Sequence, residues 1–137
     1  MKEYNEEEAK KELEKGFDAA KTILENEDKT ERFLQRLEKK LKMIPAAGSV
    51  LSMIPILISL VRSYTKKEYK DVPIGTIVAI VSALLYWLSP VDAIPDIVPG
   101  LGYLDDAAVI AACLKLVKSD VDEYQKWREE NNKILNV

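Results

Sequence analysis

Residues 89–106 read S-P-V-D-A-I-P-D-I-V-P-G-L-G-Y-L-D-D and separate two strongly apolar helical patterns. Three prolines fix their own φ and push each preceding residue toward extended geometry, so no helix runs unbroken through this stretch. The pair Pro99-Gly100 and the second glycine, Gly102, favour turns. Most other positions are apolar, which is typical of a loop packed against a core. We call this stretch the elbow.

Residues 86–109 follow a known pattern: an apolar helix, S-P-x-D-x-I-P-D, a third proline, then G-x-x-D-D opening another helix. The positions that fall on it are Ser89, Pro90, Asp92, Ile94, Pro95, Asp96, Pro99, Gly102, Asp105 and Asp106. In this the chain resembles the YkvA-like family of small bacterial proteins of unknown function, over residues 73–116. Members of that family are often described as membrane proteins and have no settled activity. The resemblance therefore implies a fold but no mechanism.

Composition indicates one ordinary folded domain and excludes several kinds of site. The chain has 137 residues, 31% charged and 47% hydrophobic, which is enough for a proper core. The absence of histidine excludes Ser-His and Cys-His pairs and imidazole metal ligands. The single cysteine, Cys113, excludes an internal disulfide and is predicted to be buried. The N-terminal residues show no signal-peptide pattern, so we expect a cytoplasmic protein. If the protein binds a membrane, as one hypothesis below holds, we expect it at the inner face of that membrane.

Helical periodicity predicts an all-α compact bundle of about five helices. Residues 1–42 are predicted to form an amphipathic helical pair, with the first helix ending near Asn26 and the second starting around Asp28. Residues 43–130 are predicted to form an apolar helical core that contains the elbow. The last helix is predicted from Asp105 to the region of Glu129, and residues 131–137 should fray.

Two segments, residues 43–61 and 72–91, carry no charge, and each is near the length that crosses a bilayer. One interpretation makes them central helices of a bundle, and the other makes them a membrane hairpin with a basic loop on the cytoplasmic side. We favour the bundle, because the amphipathic terminal helices would lack a core if both segments lay in lipid.

Four carboxylates are the elbow's only charged groups: Asp92, Asp96, Asp105 and Asp106. They can accept backbone N–H groups at turns and at a helix start, or pair with a cation such as Arg62 or Arg36. A third alternative is a metal site, because Mg²⁺ and Ca²⁺ prefer oxygen ligands. No cofactor is expected otherwise. Pro90, Pro95, Pro99 and Gly102 belong to the same motif. We predict that they fix the backbone of this loop and so form part of any ligand-binding site there.

Residues 28–70 hold 10 basic and 4 acidic side chains in a chain whose net charge is −3. Contact with an anionic surface is predicted for Lys39, Lys40, Lys42, Arg62, Lys66, Lys67 and Lys70. The alternative is an ordinary solvated face. We expect no nucleic-acid partner, because the chain is acidic overall and carries no recognised binding module.

The sequence thus favours a non-catalytic interaction module that binds a protein partner or a membrane surface. Neither a nucleophile–base pair nor a cofactor loop is present, so catalysis is the less favoured class. Two alternatives stay open: an integral membrane protein with two spanning helices, and a divalent-metal-dependent enzyme that uses the aspartates of the elbow.

Overall fold

The structure, a computed structural model, describes residues 6–43, 51–88 and 106–135. Within these ranges the chain forms six α-helices and one 3₁₀ turn, and no strand. They are α1 (Glu6–Lys15), α2 (Phe17–Leu24), α3 (Glu27–Met43), the 3₁₀ turn (Leu51–Met53), α4 (Ile54–Thr65), α5 (Ile74–Leu88) and α6 (Asp106–Leu135). The predicted all-α fold is confirmed.

Helix α5 lies at the centre of the bundle. Every residue from 77 to 88 is buried, and α5 contacts each of the other five helices. The amphipathic helices turn their apolar side chains inward, so that Leu13 of α1, Ala20 of α2 and Leu34 of α3 are fully buried. The terminal helices therefore cover the apolar centre, as the hydrophobic pattern predicts.

The first predicted helix is two helices, because the chain turns at Gly16. The N–H of Gly16 bonds to the carbonyl of Leu13 at 3.1 Å, and α2 begins at the next residue. Ser82 of α5 approaches this turn closely and donates its hydroxyl to the same carbonyl. A Cβ at position 16 would overlap the Ser82 hydroxyl, so the turn packs against α5 only because residue 16 is glycine.

Helix α3 begins at Glu27, slightly earlier than the sequence predicts. Its cap is Asn26, whose Oδ1 accepts the backbone N–H groups of Asp28 and Lys29 at 2.7 and 3.1 Å. Thr30, in the first turn of α3, is fully buried. Its hydroxyl donates to the carbonyl of Ile23 at 2.9 Å and so ties the start of α3 to the end of α2.

The two charge-free segments do not form two long helices in the part of the chain that the structure describes. In the first, a 3₁₀ turn precedes α4, which begins at Ile54 with Pro55 in its first turn. In the second, α5 spans 15 residues after Pro73. None of the helices within residues 6–43, 51–88 and 106–135 has the length and apolar character that crossing a membrane requires.

Helix α6 packs along the bundle and bends at Val117, where the backbone leaves helical geometry (φ −111°, ψ 16°). Cys113 is fully buried, as predicted. Beyond the bend, the hydroxyl of Tyr124 lies 2.6 Å from that of Ser59 and 2.9 Å from that of Ser63, which joins α6 to α4. The helix runs to Leu135, well into the tail that was predicted to fray.

One side-chain contact accompanies this longer helix. The Nδ2 of Asn131 donates to the carbonyl of Trp127 at 2.8 Å, one turn earlier. This bond follows the spacing of one helical turn, and the predicted fraying of residues 131–137 stays a prediction.

Candidate functional site

Most of the predicted elbow site lies outside the described residues. This holds for Pro90, Asp92, Pro95, Asp96, Pro99, Gly102 and Asp105, whereas Asp106 is the first residue of α6. Among the residues that the structure does describe, no group of three or more potential metal ligands occurs. The metal site and the loop-shaping roles of these residues therefore stay predictions.

Lys40 holds the end of α5, directly before the elbow. Its Nζ donates to the carbonyls of Trp87 and Leu88, the latter at 3.1 Å, and lies 4.5 Å from the centre of the Trp87 ring. A cation on the last carbonyls of a helix satisfies groups that have no partner within the helix and complements its dipole. The Tyr86 and Trp87 side chains are buried, so both aromatic rings belong to the core.

Arg62 of α4 binds two glutamates of α3. Its Nε and Nη2 donate to Glu31 at 3.1 and 3.0 Å, and its Nη1 and Nη2 donate to Glu38 at 2.7 and 3.1 Å. These hydrogen bonds hold the pKa of the Glu31 carboxyl below its usual value and raise the pKa of the guanidinium. Four of its five N–H donors are used by these two glutamates. The predicted pairing of Arg62 with an aspartate of the elbow falls on residues outside the described ranges and stays a prediction.

The solvent-exposed face of α3 is strongly basic as a result. The exposed charged side chains of α3 are two acids in its first turn, Glu27 and Asp28, and five cations: Lys29, Arg32, Arg36, Lys39 and Lys42. Arg32, Arg36 and Lys39 follow the i, i+4, i+7 spacing of one helix face. We call this set of five cations the α3 basic face. Within the described ranges, none of the five side chains has a hydrogen-bond or ion-pair partner.

The connection between α4 and α5 carries the other predicted cations. Lys66, Lys67 and Lys70 are all exposed, but Glu68 and Asp71 are exposed beside them. The connection therefore has three positive charges against two negative ones, a much weaker field than that of the α3 basic face. The seven cations predicted to contact an anionic surface are thus divided among three places. Lys40 and Arg62 bind groups of the fold itself, three lysines lie on the nearly neutral connection, and Lys39 and Lys42 lie on the α3 basic face.

Three members of the α3 basic face were not among the predicted surface contacts: Lys29, Arg32 and Arg36. A signal for them exists in the sequence, because Phe33, Leu34 and Leu37 mark the buried side of α3. Arg32 and Arg36 lie on the opposite side of the same helical periodicity. Counting cations along the chain without projecting them on a helix hides this arrangement.

Comparisons with known proteins agree with the resemblance found in the sequence. A family described as a protein of unknown function (DUF1232) matches residues 76–112. A relative from Bacillus subtilis (strain 168), named "Uncharacterized membrane protein YkvA", is 31% identical over 102 residues, which cover 66% of this chain and 96% of the relative. No solved structure matches the chain. The chain therefore belongs to the YkvA-like family of proteins of unknown function.

Proposed function

We propose that this protein binds the surface of an anionic membrane peripherally, with the α3 basic face toward the lipid head groups. One observation carries the proposal: α3 exposes five cations against two acids, Glu27 and Asp28, which both lie in its first turn, while its two central acids are paired with Arg62. A helix face of this composition attracts an anionic surface over about one Debye length, roughly 8–10 Å at physiological salt.

The apolar side of α3 lies in the core, so this contact is electrostatic and involves no insertion of the helix. Leu34 and Leu37 are fully buried and cannot reach lipid without unfolding. Each exposed cation near an anionic leaflet contributes about 1 kcal/mol, and five of them give useful affinity without a lipid-embedded segment. The Bacillus relative is named as a membrane protein, which is consistent with such an association.

The test is co-flotation with vesicles of phosphatidylglycerol and phosphatidylcholine, compared with vesicles of phosphatidylcholine alone. We expect binding only to the anionic vesicles, and release in about 1 M salt, where the Debye length falls to about 3 Å. Reversal of two central charges, Arg32→Glu with Arg36→Glu, should weaken binding by roughly 30-fold or more, because at least about 2 kcal/mol is lost.

Two matched variants make the result specific. Lys10→Glu with Lys11→Glu changes two exposed cations of α1 and alters the net charge equally, so its binding should stay close to wild type. Lys66→Glu with Lys67→Glu tests the α4–α5 connection and should weaken binding less than the α3 variant. Circular dichroism of each variant checks that the helices are intact.

Four results would overturn the proposal. The first is equal binding to neutral and anionic vesicles. The second is equal loss in the α1 and α3 variants, which would mean that only net charge matters. The third is protein that stays in the membrane fraction after high salt and alkaline carbonate, as an integral protein would. Tighter, salt-sensitive binding to RNA or DNA than to vesicles would likewise assign the α3 basic face to nucleic acid.

A further inference from the structure

A groove lies between the end of α2, the end of α4 and the start of α5. Its volume is about 550 Å³, which is within the usual range of small-molecule sites, roughly 300–1,000 Å³. Apolar side chains supply much of its wall: Leu24, Tyr64, Val72 and Ile74. Glu27, the first residue of α3, also lines it, so the groove adjoins the N-terminal end of the helix that carries the α3 basic face.

Ile74 is an unusual wall residue because it is 55% exposed, and among the described residues only Leu116, at 54%, is another exposed large hydrophobic side chain. Ile74 lies in the first turn of α5, and its neighbour Gly75 also faces open space. A Cβ added at Gly75 would have no other atom within 4 Å. The groove therefore presents apolar surface to an open space. An apolar ligand chain lying there would remove this surface from water.

The rim of the groove is positively charged. Lys67 and Lys70 line it, and within the described part of the chain neither side chain has a hydrogen-bond or ion-pair partner. Glu27 is the one acid in the lining. An apolar wall with two free ammonium groups at its edge is complementary to a molecule that joins an anionic head to a hydrocarbon chain.

We propose that the groove holds one acyl chain of an anionic phospholipid, with the phosphate between Lys67 and Lys70 and the chain against Leu24, Val72 and Ile74. This inference rests on the proposed function and deepens it, because it adds a site for a single lipid to a surface that recognises charge. A free phosphate is a poorer occupant, since it would leave the apolar wall exposed to water.

The experiment uses monomeric lysophosphatidylglycerol, below its micelle concentration, titrated calorimetrically into the full chain. Saturable binding is expected, with lysophosphatidylcholine binding about tenfold more weakly. Ile74→Asp should reduce the affinity at least tenfold, whereas Ile74→Leu, which keeps the apolar wall, should bind like wild type. Lys67→Glu with Lys70→Glu should abolish the preference for the anionic head group. Thermal unfolding of each variant checks its fold.

The outcome separates this proposal from the proposed function. Arg32→Glu with Arg36→Glu should lose vesicle binding and keep lysophosphatidylglycerol binding, because the two sites use different residues. Vesicle binding without saturable lysolipid binding overturns the groove and leaves the α3 basic face standing. Lysolipid binding without vesicle binding overturns the membrane-surface proposal. Glycerol phosphate that competes as well as the lysolipid would overturn the role of the acyl chain.

Discussion

Replacement of Gly16 by alanine should destabilise the protein although residue 16 lies in an ordinary region of backbone geometry (φ −89°, ψ −1°). No strained conformation requires glycine here. The requirement comes from Ser82 of α5, whose hydroxyl occupies the space that an added Cβ would fill. The same hydroxyl donates to the carbonyl of Leu13 and is 97% buried with the rest of its side chain.

The magnitude follows from what the new methyl group displaces. Ser82 must leave its position, so its hydroxyl loses a hydrogen bond while still buried, which costs about 1–3 kcal/mol. The Leu13 carbonyl keeps its bond from the Gly16 N–H. Against this, alanine restricts the unfolded chain more than glycine and returns about 0.4–1 kcal/mol. We therefore expect Gly16→Ala to lower the free energy of unfolding by about 1–2 kcal/mol.

A double-mutant cycle tests this cause directly. When Ser82→Ala removes the hydroxyl, the nearest remaining atom to the new Cβ is the Ser82 Cβ at 3.4 Å, which is an ordinary contact. The double variant should therefore be more stable than Gly16→Ala alone, with a coupling energy of about 1–2 kcal/mol. Gly75→Ala is the matched control, because an added Cβ there meets nothing, and it should stabilise the protein slightly.

The assay is urea unfolding, monitored by tryptophan fluorescence and by circular dichroism, for wild type, both single variants and the double variant. Strictly additive effects of Gly16→Ala and Ser82→Ala would refute the reasoning, because they would mean that the two residues do not compete for one space. A destabilisation from Gly75→Ala equal to that from Gly16→Ala would refute it as well, since backbone preference alone would then account for both.

Three further outcomes are expected. Lys67 has φ 62° at the C′ position of α4, so Lys67→Gly should raise the free energy of unfolding by about 1 kcal/mol. The same variant should weaken lysolipid binding, because it removes an ammonium group from the groove. Unchanged stability would contradict the predicted backbone strain at Lys67. Because Arg62 lowers the pKa of Glu31 below 4.5, the stabilisation from Glu31 is present above about pH 4.5 and lost as the pH falls through the lowered value. In urea unfolding, the stability difference between wild type and Glu31→Gln should therefore be largest at pH 7 and should shrink as the pH is lowered below 4.5. A difference that does not change with pH would count against the Arg62–Glu31 pair. Burial raises the pKa of the Cys113 thiol to about 12, so Ellman's reagent at pH 8 should react at the rate of unfolding, and rapid labelling of native protein would disprove its burial.

The sequence predicts the central part of this fold well because that part depends on local and compositional signals. A charge-free stretch after Pro73 becomes the buried helix α5, and the amphipathic stripes of α1 to α3 cover it. The break at Gly16 escaped prediction for a physical reason. A glycine within a helical pattern costs only about 1 kcal/mol and does not by itself end a helix. The turn is stabilised by its contact with Ser82, which lies 69 residues from Leu13 along the chain.

The same reason explains why the charged surface was only partly predicted. Counting charges along the chain treats Lys40 and Arg62 as members of an outward-facing band. Folding instead directs Lys40 to the carbonyl end of α5 and Arg62 to the two central acids of α3. Arg62 is the more consequential of the two, because one cation of α4 pairs with two carboxylates of α3 and reduces their combined charge from −2 to −1. The exposed charges of α3 beyond its first turn are then all cations, so a pairing between helices shapes the field that the protein presents to its surroundings.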